Sequence, residues 1–229
     1  MEYQKFMDKQ KEIYDKFNGE TLVNGGTKPS SIVTNGVKEY LIVLKHCPKI
    51  SDEIARFSER INKEIPSVAY ESDNIHTTIT NYNTGYPKGI PEERILEKLV
   101  SPVKKAIKDL EGQPFIAFGE WGFNDNTVIV KGQPSKEFFT LSKAVTDYSK
   151  AVTDYVLEDG MDLRLPWGGH ITATRFTKEM SPEELGGFLM LMREAPSIGN
   201  STPEAVHVGW CDLDKYRFKL NIEESFPLK

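Results

Sequence analysis

Two short runs, Asn74-Ile75-His76-Thr77-Thr78-Ile79-Thr80 and His170-Ile171-Thr172-Ala173-Thr174-Arg175-Phe176, constrain this chain more than any other feature. Both are rich in β-branched residues and alternate with the period of two that a strand requires. In each, a histidine and the threonine two positions later share one face, so imidazole and hydroxyl project into the same space. An apolar residue follows at the third position, Ile79 or Ala173. Chance would give this match at two of the chain's four histidines on the order of one time in a hundred. His46-Cys47-Pro48 and His207-Val208-Gly209 lack the pattern.

The segments around these runs predict an α+β domain with an approximate internal duplication. Tyr3, Phe6, Met7, Ile13, Tyr14 and Phe17 recur at helical spacing before Asn18-Gly19, and residues 19–36 read as a long loop. Tyr40–Leu44 reads as a buried strand, followed by a helix from Ser51 or Asp52 that Pro66 stops. After the first histidine strand comes a turn-rich loop with Tyr82 and Tyr86, then a helix from Pro91 that Pro102 kinks or splits. Residues 115–121 and 127–130 form a hairpin, and 135–158 a long helix. That helix repeats Ser-Lys-Ala-Val-Thr-Asp-Tyr in tandem from Ser142, with Leu141, Val145, Tyr148 and Val152 as its apolar stripe. Two heptads favour packing on a sheet over a coiled coil. The second histidine strand precedes a helix opened by Ser181 and Glu184 as a capping box, and 206–211 with 216–222 close the chain as an antiparallel pair.

Composition narrows the function. At 229 residues the chain buries a core easily, and a net charge of −5 argues against coating long double-stranded nucleic acid. A phosphorylated ligand in a local basic pocket stays open. Cys47 and Cys211 make neither a disulfide framework nor a metal spacing, and no run is long enough to span a membrane. A cytoplasmic protein is expected, with no membrane partner.

If the two histidine strands face each other, two imidazoles flank one small volume with Thr78 and Thr172 between them. Histidine gives and takes protons near neutrality, and in-line attack on phosphorus needs a base on one side and an acid on the other. Hydroxyls stabilise the charge that builds on the non-bridging oxygens. No metal is required.

The paired His-x-Thr-apolar motifs, within this element order, resemble the two-histidine (2H) phosphoesterase superfamily of 2′,5′-RNA ligase-like proteins and cyclic phosphodiesterases. The resemblance spans roughly residues 37–222 and rests, in residue identity, on the two motifs. It implies a bilobal fold of two pseudo-symmetric antiparallel-sheet lobes with outer helices and a central cleft, residues 1–36 forming a separate helix-and-loop extension and 37–229 the bilobal domain. It implies metal-independent phosphodiesterase activity on a cyclic phosphate or phosphodiester of a nucleotide or RNA end, with no cofactor. His76 and His170 become the acid–base pair, the resemblance leaning towards His170 as base, and Thr78 and Thr172 the phosphate binders. The alternative is a non-catalytic nucleotide- or RNA-binding protein using the same cleft.

Tyr82, Tyr86 and Trp167 are candidates for base stacking at the rim. Arg164 and Lys131 are weaker phosphate candidates. Trp121, Trp210 and His207 read as packing residues. Arg175 alternates away from His170 in a regular strand and reads as structural.

Overall fold

The computed structural model describes residues 2–20, 22, 26–82, 92–152 and 168–228. Nine strands join one antiparallel sheet: β1 (Val37–Lys45), β2 (Ser67–Ala69), β3 (His76–Tyr82), β4 (Ile116–Phe123), β5 (Thr127–Pro134), β6 (Ile171–Phe176), β7 (Gly199–Ser201), β8 (Ala205–Leu213) and β9 (Phe218–Pro227). Their order, β7-β4-β5-β6-β3-β1-β8-β9 with β2 also on β6, is two half-sheets meeting at a seam. Each half puts its histidine strand innermost. Among the described residues the seam is one pair, Thr77 opposite Ile171. This is the bilobal α+β arrangement expected from the sequence.

Six helices accompany the strands among the described residues: α1 (Tyr3–Tyr14), α2 (Ser31–Asn35), α3 (Pro48–Glu64), α4 (Glu92–Lys108), α5 (Lys136–Val152) and α6 (Pro182–Met192). None is long and apolar enough to cross a membrane. The α6 capping box forms as expected, Ser181 and Glu184 each bonding the other's backbone N–H. Helices α4 and α5 pack on each other and on the first half-sheet, burying Leu99, Val103, Leu141 and Val145 with Ile42, Leu44 and Val208. The described part of the tandem-heptad stripe, Leu141, Val145 and Tyr148, is therefore spent on the protein's own core. Helix α3 packs on β2, β6 and α6, and Phe57, Ile61, Phe176 and Phe188 form a second core there.

Two expectations need correction. Of the two alternatives for Pro102 the split does not occur, since its helix runs unbroken from Glu92 to Lys108. A mid-helix proline costs about 3 kcal/mol, and burial of flanking Leu99, Val103 and Ala106 outweighs it. Residues 31–35, read as loop, form α2.

The first half-sheet curls strongly. Asn74, in a 3-10 turn just before β3, donates from its amide to the Phe218 carbonyl (3.1 Å) and accepts from the Leu220 N–H (2.8 Å). The segment leading into β3 thus reaches β9, three strands away, and the face carrying His76 becomes concave. Tyr70, Phe218 and His76 stack inside it, with ring centroids 4.1 and 5.6 Å apart.

Helix α1 docks on the approach to the second motif. Gln10, 3% exposed, accepts the Gly169 N–H at 3.0 Å, and the Tyr14 hydroxyl donates to the Gly132 carbonyl (3.0 Å) while accepting from its N–H (3.2 Å). A Cβ on Gly132 would lie 2.1 Å from the Gly169 carbonyl oxygen, so only glycine lets β5 pass this close. Gly132→Ala is expected to cost about 1–3 kcal/mol, as overpacking against backbone does, and to displace His170. Chemical denaturation measures the loss, and a shift in the His170 ring resonances reports the displacement. Wild-type stability in the variant would show that the turn yields freely.

Candidate active site

The Thr77–Ile171 pair sets the register of the seam. In that register His76 stands across from Thr172 and Thr78 across from His170, so the four predicted site residues form one block on one face of β3 and β6. His76 is 9% exposed, while Thr78, Thr172 and His170 are half-buried and keep contact with solvent. Thr77, on the opposite face, bonds through Oγ1 to Nε2 of buried His46 at 3.0 Å. His46 also bonds Ser201 and sits edge-on to Phe118, a core role.

Backbone contacts orient both rings. His76 Nδ1 lies 2.7 Å from the Asn74 carbonyl. A carbonyl only accepts, so Nδ1 carries the proton and Nε2 is left for chemistry. The backbone of Gly168, two residues upstream, favours the charged form of His170.

Each motif strand contains one extra residue at the same place. In β3, Val43 and Ile42 pair with Thr78 and Thr80, leaving Ile79 as a bulge; in β6, Ile129 and Val128 pair with Thr172 and Thr174, leaving Ala173. Both bulge residues are wholly buried. The Ala173 carbonyl is held by Ser58 Oγ at 2.5 Å and the Tyr70 N–H at 3.1 Å. This explains the apolar third position of the motif: its side chain points into the core while the strand skips a beat.

Comparison with solved structures follows this geometry. TT0787 of Thermus thermophilus superposes with a TM-score of 0.61 at 14% identity, over 83% of this chain and 97% of that one. E. coli LigT in complex with 3′-AMP superposes at 0.56 and 12% identity, over 85% and 99%. The chain shares the fold of LigT and TT0787, the two-histidine phosphoesterase-like arrangement expected from the sequence. LigT has also been crystallised with ATP, NADP+ and phosphate. No protein-family profile and no curated protein matches the chain by sequence.

Within the two-histidine phosphoesterase fold, the bulges correct the sequence reading of Arg175. One inserted residue reverses the alternation, so the position five beyond each histidine returns to the site face: Asn81 in β3 and Arg175 in β6. Arg175 lies within electrostatic reach of both His76 and His170. Its guanidinium donates from Nε to the Tyr70 hydroxyl (3.2 Å) and from Nη1 to Thr127 Oγ1 (3.1 Å). Glu39, half-buried on β1, is pushed up by burial and pulled back by Arg175 and a hydrogen bond from Asn81. Sequence reasoning missed Arg175 because nothing local marks a single-residue insertion.

Of the rim candidates, Tyr86 and Trp167 lie outside the described residues, as does Arg164. Tyr82 is described only as backbone, paired with Tyr40 at the end of β3. Lys131 forms an ion pair with Glu120 (3.9 Å), Trp121 donates to the Pro196 carbonyl, and His207 bonds Ser225. Among the described residues no group of three or more His, Cys, Asp or Glu could hold a metal ion.

Both imidazoles are held neutral. Burial, then Arg175 and His76, lower His170 to about 3, against the opposing Gly168 backbone. Burial lowers His76 to about 4, with Arg175 and Lys45 adding to it and the Asn74 bond opposing it. Arg175→Gln removes one shared cause, so both rings are expected to titrate at higher pH than in wild type. His46 and His207, whose shifts do not stem from Arg175, stay in place. Histidine ring NMR titration measures all four, and unmoved His76 and His170 would place Arg175 outside the site.

Proposed function

We propose that the protein is a metal-independent phosphodiesterase that opens or cleaves a phosphodiester, such as a cyclic phosphate, at a nucleotide or RNA end. The block His76–Thr172, Thr78–His170 across the seam carries this reading. One neutral imidazole takes a proton from the attacking water as the new P–O bond forms. The other, protonated, gives its proton to the leaving sugar oxygen as the old P–O bond breaks. Thr78 and Thr172 donate to the non-bridging oxygens, and the Arg175 guanidinium adds positive charge beside them. The nucleotide complexes of LigT support a nucleotide as ligand.

Two neutral histidines must become one neutral and one charged. A phosphodiester carries one negative charge; at 4 Å and an effective dielectric near 20 it favours a proton by about 4 kcal/mol, roughly three pH units. That lifts one ring from about 4 to near 7 and leaves the other as a base. The family resemblance gives His76 the acid role and His170 that of base.

A specific observation favours the second reading, a nucleotide- or RNA-binding protein without turnover: in the free protein neither ring is protonated at neutral pH. The test is turnover, in EDTA, of a panel of 2′,3′-cyclic, 3′,5′-cyclic and 2′,5′-linked substrates. Turnover of any member supports the enzyme. Nucleotide binding without turnover supports the binding protein and overturns the catalytic reading.

A further inference from the structure

Across the seam strand from the catalytic block stands a cation that this chemistry does not use. Lys45 ends β1 directly opposite His76, on the same concave face. The order β6-β3-β1 puts it on the side of His76 away from His170, one strand spacing (about 4.8 Å) further along the sheet. It is half-buried and makes no ion pair or hydrogen bond among the described residues. A partly desolvated ammonium without a counter-charge is costly, and most such groups are paired. On the next strand, His207 pairs in register with Val43 and so shares the face, bonding Ser225 Oγ through Nδ1 at 2.8 Å. Lys45 is close enough to depress both His76 and His207. These groups form a donor-rich strip with no carboxylate bonded to its lysine among the described residues.

We propose that Lys45, with His207 and Ser225 beyond it, holds a second phosphate of the substrate, beside the phosphodiester that His76 and His170 attack. The proposal rests on the catalytic reading above and names its substrate class: a nucleotide or RNA end bearing a phosphate in addition to the scissile one. The placement argues for a second group rather than the scissile one. The scissile phosphorus lies over β3 and β6, between the two imidazoles, whereas Lys45 rises from β1 outside that pair. A second anion there supplies the missing counter-charge.

Adenosine 2′,3′-cyclic phosphate with and without a 5′-phosphate tests the assignment. Wild type is expected to favour the 5′-phosphorylated ester in kcat/KM by about tenfold or more, the yield of one charge-assisted hydrogen bond. In Lys45→Met, which keeps the apolar stem, that preference falls to near one; Lys45→Arg restores most of it. A wild-type preference near one, or equal losses on both esters in Lys45→Met, overturns the proposal. The second outcome would place Lys45 on the scissile phosphate. If neither ester is turned over, calorimetry with inorganic phosphate and pyrophosphate separates the two ideas. Tighter pyrophosphate binding that Lys45→Met abolishes keeps the second-anion site while the catalytic reading falls. Equal binding of the two anions by wild type overturns the site as well.

Discussion

Alanine at His76 or at His170 lowers kcat on the cleaved phosphodiester by about 10²–10⁴-fold, the yield of a positioned general acid or base. In the proposed mechanism the two rings serve one transition state from opposite sides, so their losses are not expected to add. The double variant is expected to be no more than a few-fold slower than the worse single one, as found for residues that act as a unit. The KM changes separate the roles further. His76 is stacked on Phe218 and 9% exposed, so its removal also opens a gap in the concave face and weakens binding. His170 is half-buried, and its loss falls mainly on kcat. Purified variants whose far-UV spectra and melting temperatures match wild type are assayed on the substrate the panel identifies. Either single variant within tenfold of wild-type kcat would remove the acid–base pair from the mechanism.

Acidification from pH 7 to pH 5 is expected to destabilise the fold by several kcal/mol. Three histidines are held in the neutral form: His46 and His170 with values near 3, and His76 near 4, each lowered chiefly by desolvation. In the unfolded chain the same side chains titrate near 6.5. Below that pH the unfolded state binds up to three protons that the native state refuses, so stability falls as pH drops. Each refused proton costs about 1.4 kcal/mol per pH unit. The loss begins just above pH 6.5 and levels off near pH 3–4, where the native rings finally protonate. Urea midpoints between pH 7.5 and 4.5 measure the slope. His46→Gln, which keeps hydrogen-bonding capacity towards Ser201 and Thr77, should reduce the slope by about one proton. A flat profile between pH 7 and 5 would show that the rings protonate freely in the native state.

Period-two alternation made β3 and β6 legible in the sequence, and the matched histidines picked out the block that the register assembles. The capping box at Ser181 was legible for the same reason, since its chemistry is local. What escaped was long-range. The bulges at Ile79 and Ala173 leave no mark in composition, yet they decide where Asn81 and Arg175 face. No motif marks Lys45 in the sequence, and only the β1–β3 pairing sets it opposite His76. The three-residue strand β7 is too short for any periodicity, and the docking of Gln10 on Gly169 spans most of the chain.

His76 is oriented by a peptide carbonyl two positions upstream, where many enzymes employ a dedicated carboxylate, and the Gly168 backbone favours the charged form of His170. Main-chain atoms survive any substitution that preserves the local path. Neighbours sharing only 12–14% of their residues with this chain superpose over more than four-fifths of it, so the backbone path that supplies such contacts is shared where side chains are not. A centre oriented by main-chain atoms leaves the side chains around it open to substitution without loss of that orientation.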